Sequence, residues 1–168
     1  ALFRAIVDKV ETPDRVWDCA TGNGQAACAL AKYFKHVIAT DLSENQIANA
    51  KACDNVNYRV ATSDHSGLTD GSVDCVTVAQ ALHWFDNEGF YDEVRRVLKP
   101  GGLFAAWLYA LPKLDDPNLA KILRLLYHDI LGGYWDVGRQ HIDDEYRDLY
   151  MPFDDIKRQR FEKPLEWT

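Results

Sequence analysis

Two carboxylates and two glycines near the start of this chain are spaced to hold a ligand that carries a ribose. Asp18 closes the apolar run Val16-Trp17-Asp18, Gly22 and Gly24 stand in Ala20-Thr21-Gly22-Asn23-Gly24, and Asp41 ends a second apolar run, Val37-Ile38-Ala39-Thr40-Asp41. Glycines there let the backbone turn sharply after a buried strand and approach a ligand where a Cβ would intrude. Asp41, seventeen residues after Gly24, stands where an acid accepts hydrogen bonds from ribose hydroxyls. Taken alone, Gly22-Asn23-Gly24 also reads as a plain strand-to-helix turn, and Gly22 to Ala27 fits the relaxed dinucleotide form G-x-G-x-x-A.

Asp18 shifts the weighing. A carboxylate at the end of the strand, four residues before Gly22, would repel a pyrophosphate and would suit a cofactor that carries a cation. A strand-end Asp can also simply cap the helix that follows.

A second group of reactive residues follows another apolar run. His83 and Trp84, in Ala79-Gln80-Ala81-Leu82-His83-Trp84-Phe85, lie on the side where open α/β sheets bind ligands. Imidazole titrates near working pH, so His83 is a catalytic candidate, as a base for a hydroxyl or as a donor to a carboxylate. Beside Leu82 and Phe85 it also reads as a structural histidine. Trp84, the other catalytic candidate, either stacks on a substrate or packs at a helix entry. His128, His141, Asp143, Asp144 and Glu145 are interrupted by Gly132-Gly133 and have no recognised ligand spacing; they read as surface polarity, and no metal is expected. No Ser-His-Asp order, G-x-S-x-G elbow or G-x-x-x-x-G-K-[ST] loop points to hydrolysis or to a nucleoside triphosphatase.

These residues need a scaffold, and the hydrophobic pattern predicts one. Helices at 2–9, 24–34, 43–53 and 86–98 alternate with strands at 15–20, 36–40, 56–60, 73–78 and 103–109, the mark of a parallel sheet covered by helices on both faces. Ser43 with Gln46 forms a capping box after Asp41, which presents Leu42 toward the cleft. Asp70-Gly71-Ser72 and Lys99-Pro100-Gly101-Gly102 are turns. Beyond residue 110, Leu119, Ile122, Leu123, Leu126 and Ile130 recur at helical spacing and predict a helix over 117–131 with one buried face. A further strand is expected at 156–161, with Lys157-Arg158-Gln159-Arg160 as its solvated edge.

Three blocks in this order carry a resemblance. Asp18-Cys19-Ala20-Thr21-Gly22-Asn23-Gly24 resembles the acid-x-Gly-x-Gly-x-Gly motif of class I S-adenosylmethionine-dependent methyltransferases, with Ala20 in place of the first glycine. Val73 to Phe85 is similar to the family's fourth strand and cofactor-side loop, and Val97-Leu98-Lys99-Pro100-Gly101-Gly102-Leu103 to the turn into the fifth. The run Gln80 to Phe85 is similar to one in the small-molecule group that includes trans-aconitate methyltransferases. The resemblance covers roughly residues 1–109 and implies a Rossmann-like, doubly wound, mostly parallel α/β sheet. It implies that S-adenosylmethionine, leaving as S-adenosylhomocysteine, is held by Asp18, Ala20, Thr21, Gly22, Gly24, Ala79 and Gln80 at its amino acid end. Asp41 would hold its ribose, and Leu42 with Ser63 and Asp64 its adenine. The acceptor would be a small molecule, methylated at a carboxylate or hydroxyl oxygen, under a helical lid at 110–155. The alternatives are an NAD-dependent oxidoreductase and a non-catalytic cofactor-binding fragment. Against the family pattern the chain begins inside the first helix and stops before the seventh strand, which predicts six strands or fewer and an open, weakly active cleft.

Composition bounds the rest. At 168 residues the chain is read as a single domain. A net charge of -7 argues against a nucleic-acid partner, and no apolar run approaches a membrane span. Cys19, Cys28, Cys53 and Cys75 form no C-x-x-C pair and read as reduced core fillers, which with the absence of a signal sequence places the protein in the cytoplasm. Oligomeric state is left open.

Overall fold

Short apolar runs rich in Val, Ile and aromatic residues form the strands, and each is followed by a polar turn that returns the chain over one face of the sheet. The computed structural model describes residues 1–85, 88–135 and 138–162. Elements run α1 (Leu2–Val7), β1 (Arg15–Cys19), α2 (Gln25–Leu30), β2 (His36–Asp41), α3 (Glu44–Ala48), β3 (Val56–Val60) and β4 (Val73–Ala79). They continue with α4 (Glu88–Val97), β5 (Leu98–Trp107), α5 (Pro117–Arg124) and α6 (Arg139–Asp143). The first two residues of the helix expected at 86–98, and residues 136 and 137 of the expected lid, lie outside the described residues.

Among the described residues the five strands are all parallel, in the order β3-β2-β1-β4-β5. The order reverses at β1, so the ends of β1 and β4 flank the crevice in which such sheets bind ligands. Alternation along the strands divides the core in two. Val16, Val37, Ala39 and Cys75 pack with Ile6, Ala27, Leu30 and Phe34 under α1 and α2. Trp17, Ile38, Val76 and Val78 pack on the other face against Phe90, Val94 and Val97 of α4. Trp17 is fully buried, and its indole N–H donates to Thr40 Oγ1 at 2.8 Å, so burying the ring leaves no polar atom unpaired. The expected turn Lys99-Pro100-Gly101-Gly102 falls within β5 as an irregularity. The step from Val73 to Cys75 on β4 matches the step from Leu98 to Leu103 on β5.

Four expectations are overturned. Residues 156–161 form no strand. Their charges are spent on surface ion pairs, Arg160 with Glu145 and Lys157 with Asp155, rather than on a strand edge. The helix predicted over 117–131 changes to a π-helical turn at Leu125–Ile130, and the extra residue per turn breaks the apolar stripe. Leu119, Ile122, Leu126 and Ile130 are 43–59% exposed, while Tyr127 turns inward. Cys28 and Cys53 are not free thiols but a disulfide with a Cα–Cα distance of 6.0 Å. Folding brings α2 beside the loop after α3, a proximity that spacing along the chain does not reveal. The disulfide removes the thiol argument for a reducing compartment, while Cys19 and Cys75 are buried and free as expected. Among the described residues, no helix is long and apolar enough to cross a membrane.

Candidate functional site

The loop after β1 is built around a buried acid. Asp18 is fully buried; its Oδ2 accepts from Thr21 Oγ1 at 2.6 Å and its Oδ1 from Thr77 Oγ1 at 2.8 Å. Thr77 is its register partner on β4. Burial pushes the Asp18 carboxyl up to about 6, against hydrogen bonds from Thr21, Thr77 and the Ala27 backbone N–H that favour its charged form. The N-cap position of α2 is Gly24, and no side-chain hydrogen bond caps it. No Lys, Arg or His among the described residues forms an ion pair with it. The sheet thus carries an acid without a cation directly beneath the glycine loop.

The loop itself is tightly determined. Ala20 has φ 53° and Gln80 φ 58°, left-handed values at the ends of β1 and β4, in a region that costs a Cβ-bearing residue of order 1–2 kcal/mol. Ala20 thus occupies a conformation that the glycine of the family pattern adopts freely. Thr21 N–H donates to Thr40 O at 2.9 Å and Gln80 N–H to Trp107 O at 2.9 Å, which fixes both turns. The two glycines differ in purpose. A Cβ on Gly22 would meet nothing closer than Gln46 Oε1 at 3.9 Å, so space stands open there for a ligand. A Cβ on Gly24 would collide with the Tyr58 hydroxyl, so Gly24 makes room for Tyr58. Tyr58 in turn donates to Lys51 O at 2.8 Å, and Lys51 N–H donates to Asn23 O at 3.0 Å, clamping the loop from behind.

Asp41 closes the other side of the loop. Its Oδ2 accepts from Gly22 N–H at 2.8 Å and its Oδ1 from Ser43 N–H at 2.9 Å. Each oxygen keeps a lone pair for a further donor. Ser43 caps α3 by accepting from Gln46 N–H at 3.3 Å, and Leu42 is left 72% exposed beside the loop. Ser63 and Asp64 lie in a tight turn closed by a bridge between Thr62 and His65. There Thr62 and then His65 hold the Asp64 carboxyl below its ordinary value. Ser66 N–H, two residues on, donates to the buried Glu93 at 2.8 Å and ties this turn to α4.

After β4 the two catalytic candidates part company. His83 is 7% exposed, with Nδ1 at 3.0 Å from Tyr146 Oη, whereas Trp84 is 56% exposed and stacks obliquely on the His83 ring at 4.7 Å. Burial, and then the positive charge of Arg139 and His141, hold the His83 imidazolium pKa below its usual value, so His83 is neutral near pH 7. Arg139, Tyr146 and Thr77 were not singled out by spacing. Thr77 alone left a signal, as a hydroxyl inside the apolar run Cys75 to Ala79.

The sequence and fold that carry this site have counterparts among known proteins. A methyltransferase domain model matches residues 17–106, more than half of the chain. The chain belongs to the methyltransferase domain family. A Dictyostelium discoideum protein named as a methyltransferase is 41% identical over 156 residues, which is 92% of this chain and 59% of that protein. A Saccharomyces cerevisiae protein named as an S-adenosylmethionine-dependent methyltransferase is 27% identical over 81% of this chain and 48% of its own length. Among solved structures, a type II methyltransferase from Anaeromyxobacter dehalogenans is 39% identical with a TM-score of 0.85, covering 94% of this chain and 67% of that one. The chain therefore spans about three fifths of the Dictyostelium relative. The family's cofactor is S-adenosylmethionine, and these matches do not favour the nicotinamide alternative. The residues fit that cofactor, since Asp41 keeps acceptor capacity beside the loop, Gly22 leaves room for close approach, and Asp18 is a buried acid that pairs with no cation among the described residues.

Proposed function

We propose that the chain is the cofactor-binding and catalytic part of an enzyme that methylates a small molecule at a carboxylate or hydroxyl oxygen. The observation that carries this reading is the buried, cation-free Asp18 beneath an open Gly22 loop, flanked by Asp41. The cofactor's ribose would rest on Asp41, its amino acid end on the Ala20-Thr21-Gly22 turn and Ala79-Gln80, and its adenine beside Leu42 and the Ser63-Asp64 turn. Asp18 acts through the loop that it holds and through its charge, since its oxygens are not exposed. Bound S-adenosylmethionine would supply an already activated methyl group for transfer to an acceptor oxygen, with a neutral thioether as the leaving group. The protein's task is then alignment and exclusion of water.

A carboxylate acceptor has no proton to lose, so no base is needed. A hydroxyl acceptor must lose one, and in the tautomer whose Nδ1–H donates to Tyr146 Oη the Nε2 lone pair of neutral His83 takes it. Exposed Trp84 supplies an aromatic wall beside that position. The net charge of -7 sits badly with a polyanionic acceptor such as nucleic acid. The test is to incubate the chain with S-adenosylmethionine and a panel of small carboxylic and hydroxy acids and to follow S-adenosylhomocysteine and the mass of each acid. The expected result is gain of one methyl by at least one acid. Methylation confined to nucleic acid or protein would overturn the reading.

A further inference from the structure

Arg139 is held between two aromatic rings and, among the described residues, pairs with no carboxylate. Its Nε donates to Tyr127 Oη at 2.5 Å, and its guanidinium lies over the Tyr127 ring at 5.1 Å and the Trp135 ring at 4.8 Å. Those partners are themselves fixed. Tyr127 is 5% exposed and donates to Asp143 Oδ1 at 2.8 Å, and Trp135 Nε1 donates to Tyr127 O at 2.9 Å. Among the described residues no carboxylate lies within ion-pair distance of Arg139, and its two terminal nitrogens have no hydrogen-bond partner there. Asp143 reaches it only through the Tyr127 hydroxyl.

Its location is set by a close approach. The preceding residue, Gly138, packs on His83 so tightly that a Cβ there would lie 3.2 Å from His83 O and 3.3 Å from His83 Cδ2. The start of α6 is thereby pressed onto the turn after β4, and the guanidinium stands near the imidazole, close enough that its charge disfavours a charged His83. A planar fork of N–H donors, oriented by aromatic faces and left unpaired, matches the geometry of a carboxylate.

We propose that Arg139 is a specificity-determining residue, which binds a carboxylate group of the methyl acceptor with its terminal N–H groups and holds the acceptor beside His83 and Trp84. The assignment rests on the small-acid reading of the acceptor and narrows it to acids with one carboxylate to be anchored in addition to the oxygen that is methylated. Arg139 takes no part in bond making; it positions.

The test compares wild type, Arg139→Gln and Arg139→Lys on small dicarboxylic acids, tricarboxylic acids and their matched monoamides, with S-adenosylhomocysteine calorimetry on each variant. The expected result is a KM for carboxylate acceptors raised about 10- to 100-fold in Arg139→Gln, from the loss of hydrogen bonds to a charged group. The same variant should keep kcat within about threefold and cofactor affinity within about twofold. Arg139→Lys, which keeps the charge and loses the fork, should fall between, and neutral amides should lose the dependence on residue 139. An unchanged KM in Arg139→Gln on acids that wild type methylates would overturn the assignment alone. Failure of wild type to methylate or bind any acid in the panel, with cofactor binding intact, would overturn the small-acid reading and the assignment with it.

Discussion

If Asp18 supplies the charge that meets the cationic end of the cofactor, affinity must follow its protonation. Its folded pKa of about 6 stands above the ordinary 3.8 because burial penalises the charged form. In the unliganded protein the ionised form is therefore a liability. Stability from this group is fully present below pH 3.8 and is lost as pH rises through about 6, a difference of about 3 kcal/mol. A bound cation would offset that cost, so binding favours ionised Asp18 and draws its pKa down. With a free-protein pKa of about 6, roughly one tenth of the sites are ionised at pH 5 and nine tenths at pH 7, and affinity should fall about tenfold between them. Calorimetry with S-adenosylhomocysteine at pH 5, 6 and 7 reads this directly. Adenosine, which lacks the amino acid end, should change less than about twofold, the change expected from charge alone being absent. Asp18→Asn should bind S-adenosylhomocysteine at least tenfold more weakly at pH 7 and lose the Asp18 part of the pH dependence, while histidine contributions common to both proteins cancel. Equal affinity at pH 5 and pH 7 in wild type, or the same pH dependence in Asp18→Asn, would show that Asp18 only supports the loop.

Two further outcomes follow from the site and its clamp. Asp41→Ala removes the acceptor of Gly22 N–H and Ser43 N–H as well as the proposed ribose contact, and should weaken S-adenosylhomocysteine binding by about 1.5–3 kcal/mol; unchanged affinity in a folded variant removes the ribose assignment. Replacing both Cys28 and Cys53 by Ser opens a bridge of sequence separation 25 and should lower unfolding stability by about 3.5 kcal/mol on the chain-entropy account, measured by urea denaturation. No loss would mean that the bridge contributes nothing to the folded state.

The sheet was legible in the sequence because its central strands are buried on both faces and read as apolar runs bounded by turns, from Val16-Trp17 to Val76-Thr77-Val78. Asp18, Gly22 and Asp41 were legible for the same reason: each sits at a fixed offset from the end of such a run. What escaped depends on contacts between distant segments. Gly24 was taken as open to a ligand, but the chain carries Tyr58 back into that space from thirty-four residues away. The pairing of Cys28 with Cys53 depends on how α2 lies beside the loop after α3. Arg139 gave no signal because its neighbours Tyr127, Trp135 and Asp143 acquire meaning only when a π-helical turn, invisible to a 3.6-residue period, points Tyr127 inward. The apolar spacing of 117–131 was real, but periodicity reports amphipathic character and not what lies opposite the stripe.

The central claim is that the crevice between β1 and β4 holds S-adenosylmethionine. Parallel calorimetric titrations of this chain with S-adenosylhomocysteine and with NAD test it most directly. The account predicts one saturable site for S-adenosylhomocysteine and no heat with NAD. Saturable binding of NAD, or no binding of S-adenosylhomocysteine by folded protein at neutral pH, would contradict it.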